Sequence, residues 1–168
     1  MRLIKMIREW IDKYIEAVKE KISDLYARLF VKEEEIDTPY LVSTISINEV
    51  KQIVKKMCDV NHIYLSDWKY GLTSPALAKK FCRQTKVHIK QYSKQYDCDN
   101  FSFASHSYWN EQLENFAYGI AWSKSHAFNF MIDHNKEIWI VEPQTNVWYT
   151  WEQAKKSSKY YPIVMVML

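Results

Sequence analysis

The sequence predicts an α+β fold in which a helix packs against an antiparallel sheet, with an extra amphipathic helix at the N-terminus. Three observations predict it. Apolar residues recur at helical spacing in the first 30 residues and again after residue 46. Strand-like runs follow one another between residues 116 and 141. Only 2 glycines and 4 prolines are present, which argues against a turn-dense all-β fold.

The N-terminal segment is predicted to be one long helix over residues 2–30, because apolar residues recur at steps of three and four with charges between them. We expect its apolar stripe to self-associate or to pack on the domain core; a partner protein or a membrane surface is the alternative. The acidic run at 32–37 predicts a linker. The chain therefore divides into residues 1–35 and a domain of residues 36–168.

Composition narrows the classes of function. A chain of 168 residues that is 48% hydrophobic can bury an ordinary core. The net charge of +3, with basic residues dispersed, gives no indication of nucleic-acid binding. Three widely spaced cysteines do not predict a disulfide framework and favour a reduced, intracellular, cytoplasmic location. The acidic residues of the N-terminal segment argue against a signal peptide or a transmembrane segment.

Capping signals and apolar periodicity place the elements of the larger unit. In chain order they are a helix after Ser46, a short strand at 63–65, a helix from Pro75, a helix from Cys98 to about Asn115, strands at 116–122, 126–132 and 137–141, a short helix after Thr150 and a strand at 163–168. This order, a helix followed by antiparallel strands, is typical of an α+β layout.

Cys98 is the candidate nucleophile. A thiol attacks as its thiolate, and Cys98 lies in the predicted first turn of a helix, where free N–H groups favour an anion. His126 begins one predicted strand and Glu142 ends the next, and antiparallel neighbours bring such positions together. An imidazole held by Glu142 could then activate Cys98. Each residue alone is more often structural than catalytic, so the spacing permits a triad without requiring one.

Three motifs carry a family resemblance. They are Tyr96-Asp-Cys-Asp-Asn-Phe-Ser-Phe-Ala104, His126-Ala-Phe-Asn-Phe130 and Trp139-Ile-Val-Glu-Pro-Gln-Thr145. Their order resembles the nucleophile helix, the histidine strand and the acid strand of papain-like and transglutaminase-like cysteine hydrolases. The resemblance is strongest to the family typified by the C-terminal cysteine-protease domain of the Marasmius oreades agglutinin, with its phage and bacterial relatives, and covers roughly residues 60–150.

The resemblance implies an enzyme, a papain-like cysteine peptidase or acyl hydrolase that cleaves a peptide or protein substrate through an acyl-enzyme. Cys98, His126 and Glu142 would form its catalytic triad. Gln91, preferred over Gln95, would supply an oxyanion donor. Transfer of the acyl group to an amine would use the same residues.

The same resemblance implies a calcium site formed by Asp99, Asn100 and Gln144. Asn100 stands where the family has an acid, and calcium affinity falls with ligand charge. A bound cation would reverse the field that Asp97 and Asp99 impose on the thiolate.

The alternative is a catalytically silent papain-like scaffold that acts as a protein-interaction or virion-associated module. For a phage or viral protein, the location would be the host cell. The sequence lacks the repeated Gln-x-Trp pattern of a β-trefoil, so it predicts no trefoil sugar site.

Overall fold

The computed structural model describes Val18 and residues 40–58, 60–113 and 115–168. The predicted N-terminal helix and its acidic linker, and with them the division of the chain at residue 36, lie outside these residues except for Val18. Those expectations stay predictions. Within the described ranges, no helix combines the length and the apolar character needed to cross a membrane.

Helices and strands alternate irregularly along the described residues. The α-helices are α1 (Ile47–Val54), α2 (Pro75–Gln84), α3 (Cys98–Leu113) and α4 (Trp151–Ala154). The strands are β1 (Ser43–Ser46), β2 (Ile63–Tyr64), β3 (Lys69–Leu72), β4 (Tyr118–Ser123), β5 (Ala127–Ile132), β6 (Ile138–Glu142), β7 (Val147–Thr150) and β8 (Ile163–Met167).

Local capping explains where the helices begin. Ser46 caps α1 and Thr150 caps α4, each in a complete capping box, and Ser74 caps α2 with Pro75 in its first turn. At the start of α3, Asp97 Oδ1 accepts a hydrogen bond from the backbone N–H of Asp99 at 3.3 Å. These helix starts confirm the predictions made from the sequence.

Strand pairing produces two sheets rather than the single antiparallel sheet that was predicted. The larger sheet has the order β2-β8-β4-β5-β6-β7, and β2 runs parallel to β8 while the other pairs are antiparallel. Strands β1 and β3 pair separately, as a two-stranded antiparallel sheet. The predicted architecture is corrected accordingly, because its pattern of local strands omitted β1, β3 and β7 and contained no parallel pair.

Helix α3 packs on the sheet through side chains that are almost fully buried. Trp109 stacks on Tyr118 of β4, with 4.5 Å between the ring centroids. Asn129 of β5 donates hydrogen bonds to the carbonyl oxygens of Ser102 and Gly119, at 3.0 and 3.1 Å. Because one buried amide joins the helix to two adjacent strands, the second turn of α3 is fixed over β4 and β5.

A substitution at Gly119 tests how closely β4, β5 and β8 approach one another. A Cβ atom there would clash with the carbonyl oxygen of Met167 and would lie 2.7 Å from Phe130 Cε1. We expect Gly119→Ala to lower the free energy of unfolding by at least about 3 kcal/mol, since backbone cannot yield as a side chain can. Urea unfolding measures the loss. Gly71→Ala is the matched control, because its Cβ would meet only side-chain atoms at 3.2–3.3 Å; equal losses in the two variants would contradict the packing described.

Candidate functional site

His126 and Glu142 meet at one end of the larger sheet. Asn129 lies opposite Val141, so the residue preceding β5 is brought beside the end of β6. His126 Nε2 is 2.8 Å from Glu142 Oε2, and the two side chains are 9% and 3% exposed. The structure therefore brings together the imidazole and the carboxylate that the strand spacing predicted would meet.

Two further groups bind the same carboxylate oxygen. Tyr160 donates its hydroxyl to Glu142 Oε2 at 3.1 Å, and Lys159 Nζ lies 2.6 Å from it. Burial alone would raise the pKa of Glu142, but the hydrogen bonds from His126 and Lys159 outweigh burial and lower it. Glu142 is therefore ionised at neutral pH and holds three donors from two separate segments.

The two carboxylate oxygens of Glu142 differ in their hydrogen bonding. Glu142 Oε1 is buried and has no hydrogen-bond partner among the described residues.

Burial of Tyr160, beside the negative charge of Glu142, raises the pKa of the Tyr160 hydroxyl, which consequently stays a donor.

Cys98 lies in the first turn of α3 and is half-buried. Its Sγ atom is 3.9 Å from Asp99 Oδ1. No hydrogen bond joins Cys98 to His126 in the part of the chain that the structure describes, and the Nε2 atom of His126 is taken by Glu142. The functional roles assigned to Cys98, His126 and Glu142 stay predictions.

A small exposed surface adjoins Cys98. Trp122, near the end of β4, donates its indole N–H to Asp99 Oδ1 at 3.2 Å. The Phe103 ring, on the next turn of α3, lies 5.9 Å from the Trp122 ring between centroids and is 46% exposed. We call Asp99, Phe103 and Trp122 the Trp122 surface. It combines an accessible aromatic ring with a carboxylate whose orientation is fixed.

The predicted calcium ligands come from two segments, the first turn of α3 and the turn after β6. Asn100 Oδ1 already accepts the backbone N–H of Asp97 at 3.1 Å, and Gln144 lies in the turn after β6. No hydrogen bond connects Gln144 to Asp99 or Asn100 among the described residues, and no group of three or more acids, histidines or cysteines there could hold a metal ion. Calcium takes six to eight oxygens, so Asp99, Asn100 and Gln144 would supply only part of its coordination shell, and calcium binding stays a prediction.

Gln91, the predicted oxyanion donor, is exposed in the loop that precedes α3. Its proposed role depended on the hydrolase assignment. The residues that sequence reasoning missed are Lys159 and Tyr160, and no local signal marks them, because they reach Glu142 only through the return of the chain toward β8.

Comparison with known proteins shows which solved structures share this fold. No family model and no curated protein matches the chain. A solved PSL1a–E64 complex matches with a TM-score of 0.58 and 16% identity, over 74% of this chain and 51% of that one. A Polyporus squamosus lectin, bound to the human-type influenza-binding epitope Neu5Aca2-6Galb1-4GlcNAc, matches with a TM-score of 0.56 and 16% identity, over 74% and 49%. The chain spans about half the length of these structures, and such identity shows a shared fold alone.

These matches correct the family assigned from the sequence. One structure is described as a lectin bound to a glycan and the other as PSL1a bound to E64, and neither description names a papain-like or transglutaminase-like hydrolase. On this finding the papain-like fold and the cysteine-peptidase activity with its peptide substrate are wrong. The alternative, a silent scaffold that acts as a protein-interaction module, gains no clear support. The His126–Glu142 pair that suggested a triad has a structural explanation in the buried cluster with Lys159 and Tyr160.

Glu142→Gln tests this buried cluster. We expect the variant to lose about 3 kcal/mol of unfolding free energy at pH 7, because the buried negative charge that holds His126 and Lys159 is removed. Since the pKa of Glu142 is lowered by folding, its contribution is full above the ordinary carboxyl range and is lost as the pH falls through that range and below it.

Urea unfolding between pH 3 and pH 7 measures the effect. Wild type should lose stability on acidification more steeply than Glu142→Gln. Glu111→Gln, on the exposed side of α3, is the control and should behave as wild type. Parallel pH profiles for wild type and Glu142→Gln would contradict the assignment of this charge.

Proposed function

We propose that this domain is a non-catalytic carbohydrate-binding domain whose ligand contacts the Trp122 surface. The observation that carries the proposal is the position of Trp122, whose indole N–H donates to Asp99 and whose ring lies beside the exposed ring of Phe103. A solved structure of the same fold, a lectin bound to Neu5Aca2-6Galb1-4GlcNAc, supports it.

The chemistry of this surface suits a sugar. A pyranose has one face of C–H groups and a rim of hydroxyls, so it needs an apolar platform beside fixed polar groups. Phe103 offers the platform, since nearly half of its side chain is exposed. Asp99 Oδ1 is held by Trp122, while Asp99 Oδ2 accepts no hydrogen bond from any residue that the structure describes. That oxygen is free to accept a sugar hydroxyl.

The negative charge of Asp99 favours some sugars of the epitope Neu5Aca2-6Galb1-4GlcNAc over others. The Asp99 carboxylate repels an acidic sugar such as Neu5Ac and accepts hydroxyl donors from a neutral one. The neutral disaccharide Galb1-4GlcNAc is therefore the preferred ligand. Such a site differs in construction from a β-trefoil sugar site, so the absence of a Gln-x-Trp repeat does not bear on it.

Titration calorimetry of the full chain tests the proposal with two ligands, Galb1-4GlcNAc and the same disaccharide extended by Neu5Ac. We expect the neutral disaccharide to bind several-fold more tightly. Asp99→Asn should weaken its binding about tenfold or more, because a hydrogen bond to a charged group is lost. Phe103→Ala should weaken it similarly, whereas Glu111→Gln, on the same helix, should leave it unchanged.

E64, the compound bound to PSL1a, supplies the opposing test. The chain is incubated with E64 or iodoacetamide at pH 5 to 9, and each cysteine peptide is followed by mass spectrometry. A binding domain should show Cys98 reacting no faster than the half-buried Cys58. Selective, rapid modification of Cys98 that His126→Ala abolishes would contradict the proposal, as would the absence of any sugar binding.

A further inference from the structure

A cavity of about 250 Å³ lies among α1, the β5–β6 turn, β6 and α4. Its apolar wall is formed by Ile53, Ile138 and Trp151. The two isoleucines are each 8% exposed, and Trp151 is half-buried. The indole of Trp151 is braced by Tyr161, edge to face at 6.0 Å between centroids. The cavity thus has an aromatic ring in its wall that a second ring supports.

Polar groups without partners face the same cavity. Glu137 and Lys56 line it, and neither side chain has a hydrogen bond or ion pair to another described residue. The indole N–H of Trp151 likewise donates to no residue within the described ranges. Thr150 Oγ1 accepts the backbone N–H of Gln153 at 3.3 Å, which leaves the hydroxyl proton available to a ligand. Donors and acceptors therefore converge on a partly apolar space.

The charges around the cavity balance. Lys56 and Lys136 are offset by Glu137 and Glu152, all four of which line it. Lys136 and Glu152 are also paired outside it, with Glu49 at 2.7 Å and Lys155 at 2.6 Å. A rim with no net charge gives no preference for an anion or a cation, and its donors and acceptors suit a neutral ligand that carries hydroxyls.

The size of the cavity limits the ligand further. About 250 Å³ lies below the roughly 300–1,000 Å³ typical of drug-sized ligands. The space accommodates a single sugar residue rather than an oligosaccharide.

This cavity and the Trp122 surface lie at opposite ends of the central strands. Trp122 pairs with Ala127 at the start of β5, and Ile138 pairs with Ile132 at its end. Six extended residues span about 17 Å. One ligand residue cannot occupy both places, so the two are separate sites.

We propose that the cavity around Trp151 is a second saccharide site, which takes one neutral sugar residue and makes the domain bivalent. The inference rests on the proposed function for the class of ligand, and on the cavity's own residues for its position. A bivalent domain can link two glycans, and its avidity for a glycan-coated surface exceeds the affinity of either site.

Native mass spectrometry of the full chain with Galb1-4GlcNAc counts the bound ligands directly. Wild type should bind two molecules per chain. Trp151→Ala and Glu137→Ala should each reduce the count to one, and Asp99→Asn should do the same through the other site. Combining Asp99→Asn with Glu137→Ala should abolish binding. Glu137 is exposed, so its substitution reports on the cavity even where Trp151→Ala destabilises α4.

The outcomes separate this inference from the proposed function. One bound ligand that Asp99→Asn removes and Glu137→Ala leaves would overturn the second site while retaining the first. One ligand that Glu137→Ala removes and Asp99→Asn leaves would support the cavity and contradict the Trp122 surface. Displacement of the sugar from the cavity by the zwitterion glycylglycine would overturn the assignment to a neutral ligand.

Discussion

The Glu142 carboxylate binds donors from two segments that the chain sequence separates widely. His126 precedes β5, whereas Lys159 and Tyr160 belong to the segment that leads into β8, on the far side of β4. A buried charge is tolerated only where it is paired and hydrogen-bonded. The start of β5 and the end of β6 are therefore held against this segment. The register of the sheet determines which other residues lie at the same end.

The Trp122 surface depends on this constraint. Trp122 lies near the end of β4, and its partner Ala127 follows His126 of the same cluster. Asn129 fixes the second turn of α3 over β4 and β5. Asp99 can orient toward the indole only because both elements are held in place. When the supporting elements are rigid, the polar atoms that bind a ligand are already in position, and binding loses no free energy to ordering their side chains.

The features that depend on residues near one another in the sequence were predicted. Capping residues Ser46, Ser74 and Thr150 located three helix starts, and the hairpin spacing brought His126 to Glu142. Strands β1 and β3 were missed because each has four residues and they pair across more than twenty positions. The family assignment was wrong because its motifs are short, and a buried acid beside a histidine serves packing as well as catalysis. Lys159 and Tyr160 depend on long-range strand order, which local patterns do not contain.

We propose that this domain binds sugars at the two ends of its central strands. The most direct measurement is a two-dimensional amide NMR titration of the isotope-labelled full chain with Galb1-4GlcNAc. Sugar binding at both places predicts saturable shift changes in two clusters, around Asp99 and Phe103 and around Ile138 and Trp151, including the indole N–H signals of Trp122 and Trp151. Unchanged spectra at millimolar sugar, or changes confined to Cys98, His126 and Glu142, would contradict it.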